Sequence, residues 1–390
     1  MKGRRTRDFV PFYVPPTDGR EIREVTDSIR SGWLTTGPKV GLFEKKIAQH
    51  VGAHYAVAVN SCTAGLHLAL AAAGVGPGDE VVTSPYTFAA TGEAILYLGA
   101  RPVFADIDPL TLNIDPDRLT RALTRSTRAI IPVHIAGLAC DMKAIMSIAR
   151  KRRIPVIDDA AHALGTEIGR RAIGAIADMT CFSFYATKNL TTGEGGMVTF
   201  DDRRMAERVR RLSLHGLTRD AWKRYSRAGS WRYDIVELGY KYNMTDVAAA
   251  IGLAQLTKFD RMQRRRRQIA RRYTRLLAGE AAYETPVEIP GTTHAWHLYI
   301  LRVNPGVLRI GRGAVIEALR DRGIGTSVHF QPLHLFSFYR KTFGYRRGAF
   351  PITERESARA ISLPLYPGLS DAAVNRICEA LLDLARRHRR

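Results

Sequence analysis

From Ala56 to Phe200 the chain alternates short β-branched and aliphatic runs with helical segments. The strand-like runs are Ala56 to Val59, Val81 to Thr83, Pro102 to Ile107, Ala129 to Ile135, Pro155 to Ile157, Met179 to Phe184 and Gly196 to Phe200. Helical segments fall between or after them at Ala64 to Ala73, Phe88 to Leu98, Pro116 to Leu123, Met142 to Arg150 and Arg203 to Leu214. Strands separated by single helices are joined by crossovers, and strands apolar on both sides need cover on both faces. The pattern predicts an α/β fold built on a mostly parallel sheet. In such sheets ligands bind beyond the carboxyl ends of the strands, so polar residues just after a strand are the candidate site residues.

The flanking sequence extends this plan. Asp18 to Ser31 reads as an amphipathic helix, and Gly32 to Pro38 as a loop whose backbone could approach a ligand. Leu42 to His50 is helical. From His215 to Tyr242 the periodicity breaks into an Arg, Trp and Tyr-rich stretch long enough to be functional, and Met244 to Leu256 resumes as a helix. At 390 residues the chain exceeds the ~250 to 300 residues that one core serves, so two domains are expected, 1–258 and 259–390. The second has a long basic helix, strands near His297 to Val303 and Thr326 to Phe330, and helices at Arg312 to Arg322 and Ser370 to Ala385.

Charge and cysteines narrow the function classes. With 59 Lys and Arg against 37 Asp and Glu the formal charge is +22, which suits nucleic acid, a membrane surface or a small anion. The densest runs, Arg264 to Arg267 and Arg386 to Arg390, sit in helical stretches without interleaved aromatic residues and read as solvated faces rather than a nucleic-acid platform. The four cysteines, Cys62, Cys140, Cys181 and Cys378, show no metal-ligand spacing, and a reduced cytoplasmic setting fits them. Although Lys2, Arg4, Arg5 and Arg7 are basic, Phe9 to Pro16 is too short and proline-rich for a signal peptide, and no run is long enough to span a bilayer. No nucleic-acid partner, membrane partner or metal is expected. The rival outside catalysis is a nucleic-acid-binding or regulatory protein.

Four constellations at strand ends carry chemistry. Asn60-Ser-Cys-Thr-Ala lies where a strand gives way to a helix, and the unpaired N–H groups of a helix N-terminus suit a phosphate. Thr83-Ser-Pro-Tyr-Thr-Phe88 puts aromatic faces after a strand, where a flat cofactor could stack. Asp158 and Asp159 follow a buried strand. Successive residues point to opposite faces, so one of them is expected to face the crevice, where a protonated pyridine nitrogen would be a fitting partner. Finally Cys181 to Val198 runs from an aromatic strand through Ser183 and Lys188 into Gly193, Gly195 and Gly196. A lysine desolvated at such a turn loses its proton readily and becomes a nucleophile toward carbonyl carbon, as a Schiff-base lysine must. Phosphate cradle, stacking aromatic, acid and lysine together describe a pyridoxal-phosphate pocket.

With these motifs the chain resembles the DegT/DnrJ/EryC1/StrS sugar aminotransferases. The resemblance runs through Gly32-Trp-Leu-Thr-Thr-Gly-Pro38, Ser61-Cys-Thr63, Gly78-Asp-Glu80, Asp159-Ala-Ala-His162, Ser183 to Gly196 and Tyr242-Asn-Met-Thr-Asp246. It implies fold type I of the pyridoxal 5'-phosphate enzymes, a transaminase reaction, and glutamate as amino donor. By the same resemblance Lys188 carries the cofactor as a Schiff base and shuttles the proton, and Asp159 holds the pyridine nitrogen. Phe88 stacks on the ring, Cys62, Thr63 and Ser183 hold the phosphate, and His162 stands beside the ring. Asn243 reaches the phosphate from a neighbouring subunit, which implies a homodimer with shared active sites. Trp33, Thr36, His329 and Gln331 fall in segments expected near the substrate. Leu214 to Asp220, Gly239 to Asn243, His294 to His297 and Arg322 to Thr326 are similar to the UDP-4-amino-4-deoxy-L-arabinose aminotransferases of lipid A modification. A UDP-linked 4-keto pentose is therefore the first expected substrate, with a nucleotide-linked 4-keto-6-deoxyhexose as the alternative. Pyridoxamine-dependent sugar dehydratases carry His where this chain has Lys188, which disfavours that reaction.

Overall fold

The computed structural model describes residues 9–218 and 233–390. Lys2, Arg4, Arg5 and Arg7, and the centre of the Arg, Trp and Tyr-rich stretch including Arg219 and Asp220, lie outside the described residues.

The alternation noted in the sequence folds into one twisted sheet. Its strands are β1 (Tyr55–Val59), β2 (Glu80–Thr83), β3 (Arg101–Phe104), β4 (Thr127–Ile131), β5 (Ile157–Asp159), β6 (Met179–Ser183) and β7 (Gly196–Phe200). β3, β2 and β4 pair in parallel, and parallel bridges Ile130 to Val156 and Val133 to Asp159 join β4 to the edge of β5. β5 and β6 are also parallel, whereas β7 runs antiparallel to both β6 and β1. The spatial order is β3-β2-β4-β5-β6-β7-β1. Both faces are apolar, as strand periodicity requires: Ala56 and Ala58 of β1 enter one core with Phe182 and Met197, while Val57 and Val59 enter the opposite one with Cys181 and Val198.

Helices α1 (Gly19–Ser31), α2 (Pro38–Val51), α3 (Cys62–Ala72) and α4 (Ala89–Leu96) precede or cross over the first strands. The N-terminus of α3 is capped by Ser61, whose Oγ accepts the Ala64 N–H at 3.1 Å. Strand β7 passes close to that terminus. A Cβ at Gly196 would lie 2.6 Å from the Ser61 carbonyl carbon and oxygen and 2.7 Å from the Cys62 nitrogen, so only glycine fits without backbone movement. Gly196→Ala is expected to cost about 1–3 kcal/mol of stability through overpacking, read as a lower thermal midpoint.

The carboxyl-terminal part has its own core. β8 (Tyr283–Glu284), β9 (Tyr299–Val303) and β10 (Ala360–Leu363) form an antiparallel sheet, and Trp296, Tyr273, Tyr299 and Leu381 are buried around it. Val10 joins this core: its N–H donates to Gly323 O at 2.8 Å and its carbonyl accepts Gly325 N–H at 2.8 Å. The expected strand over Thr326 to Phe330 reduces to one bridge, Ser327 to Ser362, because the segment turns away and the Tyr86 hydroxyl donates to His329 O at 2.6 Å.

One reading of charge is corrected. Within the run Arg264 to Arg267, Arg266 is fully buried, donating to Leu365 O at 2.9 Å and Trp296 O at 3.3 Å, rather than facing solvent. It lies on the inward face of the long helix Phe259–Leu276 with Met262, Ile269 and Tyr273, at helical spacing. No helix of the described residues is long and apolar enough to cross a membrane.

Candidate active site

Beyond the ends of β1, β5 and β6 lies a cavity of ≈ 590 Å³. Cys62, Thr63, Phe88, Asp159, His162, Ser183, Lys188 and His329 all line it, so most of the residues marked in the sequence meet in one place.

Each arrives by local necessity. β5 extends to Asp159, so the two acids are its last residues and alternate. Asp159 turns into the cavity, accepting the Thr91 hydroxyl at 2.6 Å and the Ala161 N–H at 3.2 Å. Asp158 turns to the other face, where its Oδ2 lies 3.3 Å from both Thr180 Oγ1 and His134 Nε2. No ion pair reaches Asp159 among the described residues. Burial raises its pKa, opposed by the Thr91 and Ala161 hydrogen bonds and by the charge of Lys188. Thr91 was not marked in the sequence; it sits three residues after Phe88, on the same face of its helix.

At the N-terminus of α3 the Ser61 cap engages the Ala64 N–H, and the N–H groups of Cys62 and Thr63 find no acceptor among the described residues. Phe88 is the residue before α4, 63% exposed, with its ring 6.1 Å from that of Phe330, so one ring face is open to the cavity. Ser183 ends β6.

Lys188 follows in a turn in which its N–H donates to Tyr185 O at 2.9 Å, and the Tyr13 hydroxyl donates to its carbonyl at 3.0 Å. Its amine makes no hydrogen bond among the described residues. Burial lowers its pKa from 10.5 to about 8, against the opposing influence of Cys62 and Asp159. Burial also drives the Cys62 thiol well above its ordinary value, so at neutral pH that group is uncharged and Asp159 is the effective counter-charge. An amine with a lowered pKa binds its proton more tightly when unfolded. In the cofactor-free protein the resulting penalty is complete below about pH 8 and is relieved as the pH rises toward 10.5. The stability of wild type relative to Lys188→Met is therefore expected to rise across that window in denaturant titrations; a pH-independent difference would contradict it.

The histidines around the amine stay neutral. Burial pushes His162 and His297 well below 6.5, and His329 down to about 4, with Lys188 adding to each shift. The His162 ring lies 5.7 Å from Phe330 in a stacked arrangement. His329 Nδ1 is 2.8 Å from Ser362 Oγ. His297 and Phe330, which the strand-end reading did not mark, come from the carboxyl-terminal part and close the cavity from that side.

Four marked residues stand elsewhere. Asn243 donates to Thr36 Oγ1 at 2.7 Å, and Trp33 and Thr36 share the loop that rests on Asp246, whose carboxylate accepts the Gly37 and Val40 N–H groups at 2.9 Å. Gln331 is exposed. None of the four lines the cavity of its own chain.

The sequence model of one enzyme family matches residues 15–382, which include every residue of this cavity. The chain belongs to the DegT/DnrJ/EryC1/StrS aminotransferase family. It is 51% identical over 379 residues to the spore coat polysaccharide biosynthesis protein SpsC of Bacillus subtilis (strain 168), covering 97% of each. The putative sugar aminotransferase Spr1654 from Streptococcus pneumoniae, in its PMP-form, superposes with a TM-score of 0.92 at 38% identity, covering 97% of this chain and 99% of that one. DesI, solved in the presence of its TDP-sugar product, superposes with a TM-score of 0.87 at 32% identity, covering 97% of this chain and 93% of that one. This sugar aminotransferase accordingly has fold type I and depends on pyridoxal 5'-phosphate.

The cavity of this sugar aminotransferase suits that cofactor. Among the described residues it offers a carboxylate that no ion pair reaches, two helix N-terminal N–H groups without acceptors, and an amine of lowered pKa that makes no hydrogen bond.

Proposed function

We propose that this aminotransferase transfers the amino group of L-glutamate to the C4 keto carbon of a nucleotide-linked sugar. The observation that carries the reading is the pairing of the Lys188 amine and the Asp159 carboxylate in one cavity at the N-terminus of α3. The N–H groups of Cys62 and Thr63, with Ser183, hold the cofactor phosphate, Phe88 covers the ring face, and His162 stands at the ring edge. Asp159 keeps the pyridine nitrogen protonated. The bound cofactor then supplies an electron sink for the carbon that loses its proton. Lys188 Nζ takes the α-proton of the donor and returns a proton to C4 of the sugar. A lysine with pKa about 8 is partly neutral near physiological pH, as a base for this transfer must be.

The nucleotide-linked substrate is supported by the likeness to DesI with its TDP-sugar product. Two sugar classes follow from separate observations. The segments Gly239 to Asn243, His294 to His297 and Arg322 to Thr326 favour a UDP-linked 4-keto pentose, whereas the DesI likeness favours a TDP-linked sugar such as a 4-keto-6-deoxyhexose. Asn243, placed outside its own cavity, would complete the phosphate site of a second subunit in a homodimer, with Trp33 and Thr36 beside it. His329 and Gln331 lie on the segment that would meet the sugar nucleotide.

Incubation with glutamate and each keto sugar nucleotide, followed by mass spectrometry of the products, tests the reading. An amino sugar from the UDP-pentose supports the first choice. Turnover of the hexose alone replaces it with the second, and turnover of neither overturns the nucleotide-sugar proposal.

A further inference from the structure

Lys188 is followed by Asn189, whose side chain is buried and turned away from the cavity. Asn189 Nδ2 lies 2.8 Å from Ala295 O and 3.0 Å from Gln263 Oε1. Gln263 Nε2 in turn donates to Ala295 O at 3.2 Å and Leu164 O at 3.3 Å. A carbonyl oxygen only accepts, so the two backbone carbonyls decide which end of each amide is nitrogen. That leaves Asn189 Oδ1 facing His297 Nδ1 at 3.2 Å. An amide oxygen cannot donate, so His297 Nδ1 must carry the hydrogen and Nε2 the lone pair.

His162 is set the other way. Its Nδ1 accepts the Ala136 N–H at 3.3 Å, which puts its hydrogen on Nε2. The two rings lie against each other with centroids 4.4 Å apart. The cavity around Lys188 is thus walled by two neutral imidazoles of opposite tautomer, one offering a donor and the other an acceptor.

We infer that Asn189 and Gln263 are positioning residues for amino transfer, locking His297 in its Nδ1–H form so that a neutral ring with an Nε2 lone pair stands beside the reactive amine. The gain is electrostatic. Lys188 becomes an ammonium when it takes the donor's proton, the donor itself arrives as an ammonium, and an imidazolium in the same wall would repel both. A neutral acceptor instead can take an N–H from either. The groups that bear on this pair are His162, His329 and Arg266 around His297, and Asp159 and Cys62 around Lys188, with Glu194 also lining the cavity. Of these only Asp159 and Glu194 bring negative charge to the cavity.

The inference rests on Lys188 being the reactive amine, but the tautomer can be read without it. In protein carrying ¹⁵N-labelled histidine, with and without cofactor, the ring nitrogen shifts of His297, assigned by loss of its signals in His297→Gln, should report a hydrogen on Nδ1 and a ring that stays neutral through the ordinary imidazole range near pH ~6.5. A hydrogen on Nε2, or a titration between pH 6 and 7, would overturn the inference. Asn189→Asp replaces the amide with a carboxylate of the same shape, which favours the imidazolium by about 1 to 3 pH units. The acid limb of the glutamate half-reaction should then move upward by at least about one pH unit. A purely structural role for Asn189 would lower the thermal midpoint and leave that limb in place, and this result would also overturn the inference. If Asn189→Asp does not fold, the wild-type tautomer decides alone. A correct tautomer combined with an active Lys188→Ala would indict the lysine assignment rather than the positioning residues.

Discussion

Lys188→Ala is expected to lose at least about 10³-fold in amino transfer and to lose the yellow colour of the lysine-bound cofactor, while folding normally. The reasoning begins with the turn after β6, in which Tyr185 and Tyr13 hold the Lys188 backbone and leave its amine unpaired in the cavity. Removing a partly buried amine that has no hydrogen bond strands no hydrogen-bond partner, and Asp159 keeps its bonds from Thr91 and Ala161, so the fold should tolerate the change. The chemistry should not tolerate it. Among the described residues no other amine lines the cavity; its histidines are held neutral by burial, His329 with a pKa pushed down to about 4, and its carboxylates are Asp159 and Glu194. Visible absorbance and single-turnover kinetics with glutamate check both halves of the expectation. A variant that keeps the wild-type spectrum would mean that another group holds the cofactor.

Asp159→Asn should cost about 10² to 10³-fold in amino transfer and weaken retention of the cofactor. Asparagine has the same shape: its oxygen can keep the Ala161 N–H, and its amide nitrogen can donate to the Thr91 hydroxyl, which then turns its own hydrogen to Thr87 Oγ1, so packing is preserved. What disappears is a buried negative charge that no ion pair reaches among the described residues and that is proposed to face the pyridine nitrogen. With a neutral amide there, nothing favours the protonated ring, and the electron sink fails. The matching change Asp158→Asn touches only the pairing with Thr180 and His134 on the far face of β5 and should alter stability more than rate. Equal rate losses in the two variants would contradict the assignment.

The division between legible and illegible features follows chain geometry. Lys188, Ser183, Asp159, Cys62 and Phe88 could be found because each stands at a strand end or within five residues after one, and strand ends are where a doubly covered sheet leaves its opening. The choice between Asp158 and Asp159 needed the register of β5, which runs two residues beyond the expected end. His297 and Phe330 had no local signal: they enter the cavity from the carboxyl-terminal part, and only tertiary packing brings them there. Thr91 had a weak one, its helical spacing from Phe88. Arg266 was misjudged by the company it keeps, since four successive arginines look solvated, yet its spacing from Met262, Ile269 and Tyr273 places it on the inward face. The loop from Gly32 to Pro38 and the segment around Asn243 do come together, through Asp246, but beside the cavity of the chain rather than in it.

The measurement that bears most directly on the account is the visible spectrum of the cofactor-loaded protein through one complete cycle. L-Glutamate should bleach the yellow band and release 2-oxoglutarate, and a nucleotide-linked 4-keto sugar added afterward should restore the band as the amino sugar forms. A band that persists with glutamate and with every other amino donor, or that is bleached but never restored by a keto sugar nucleotide, would contradict it.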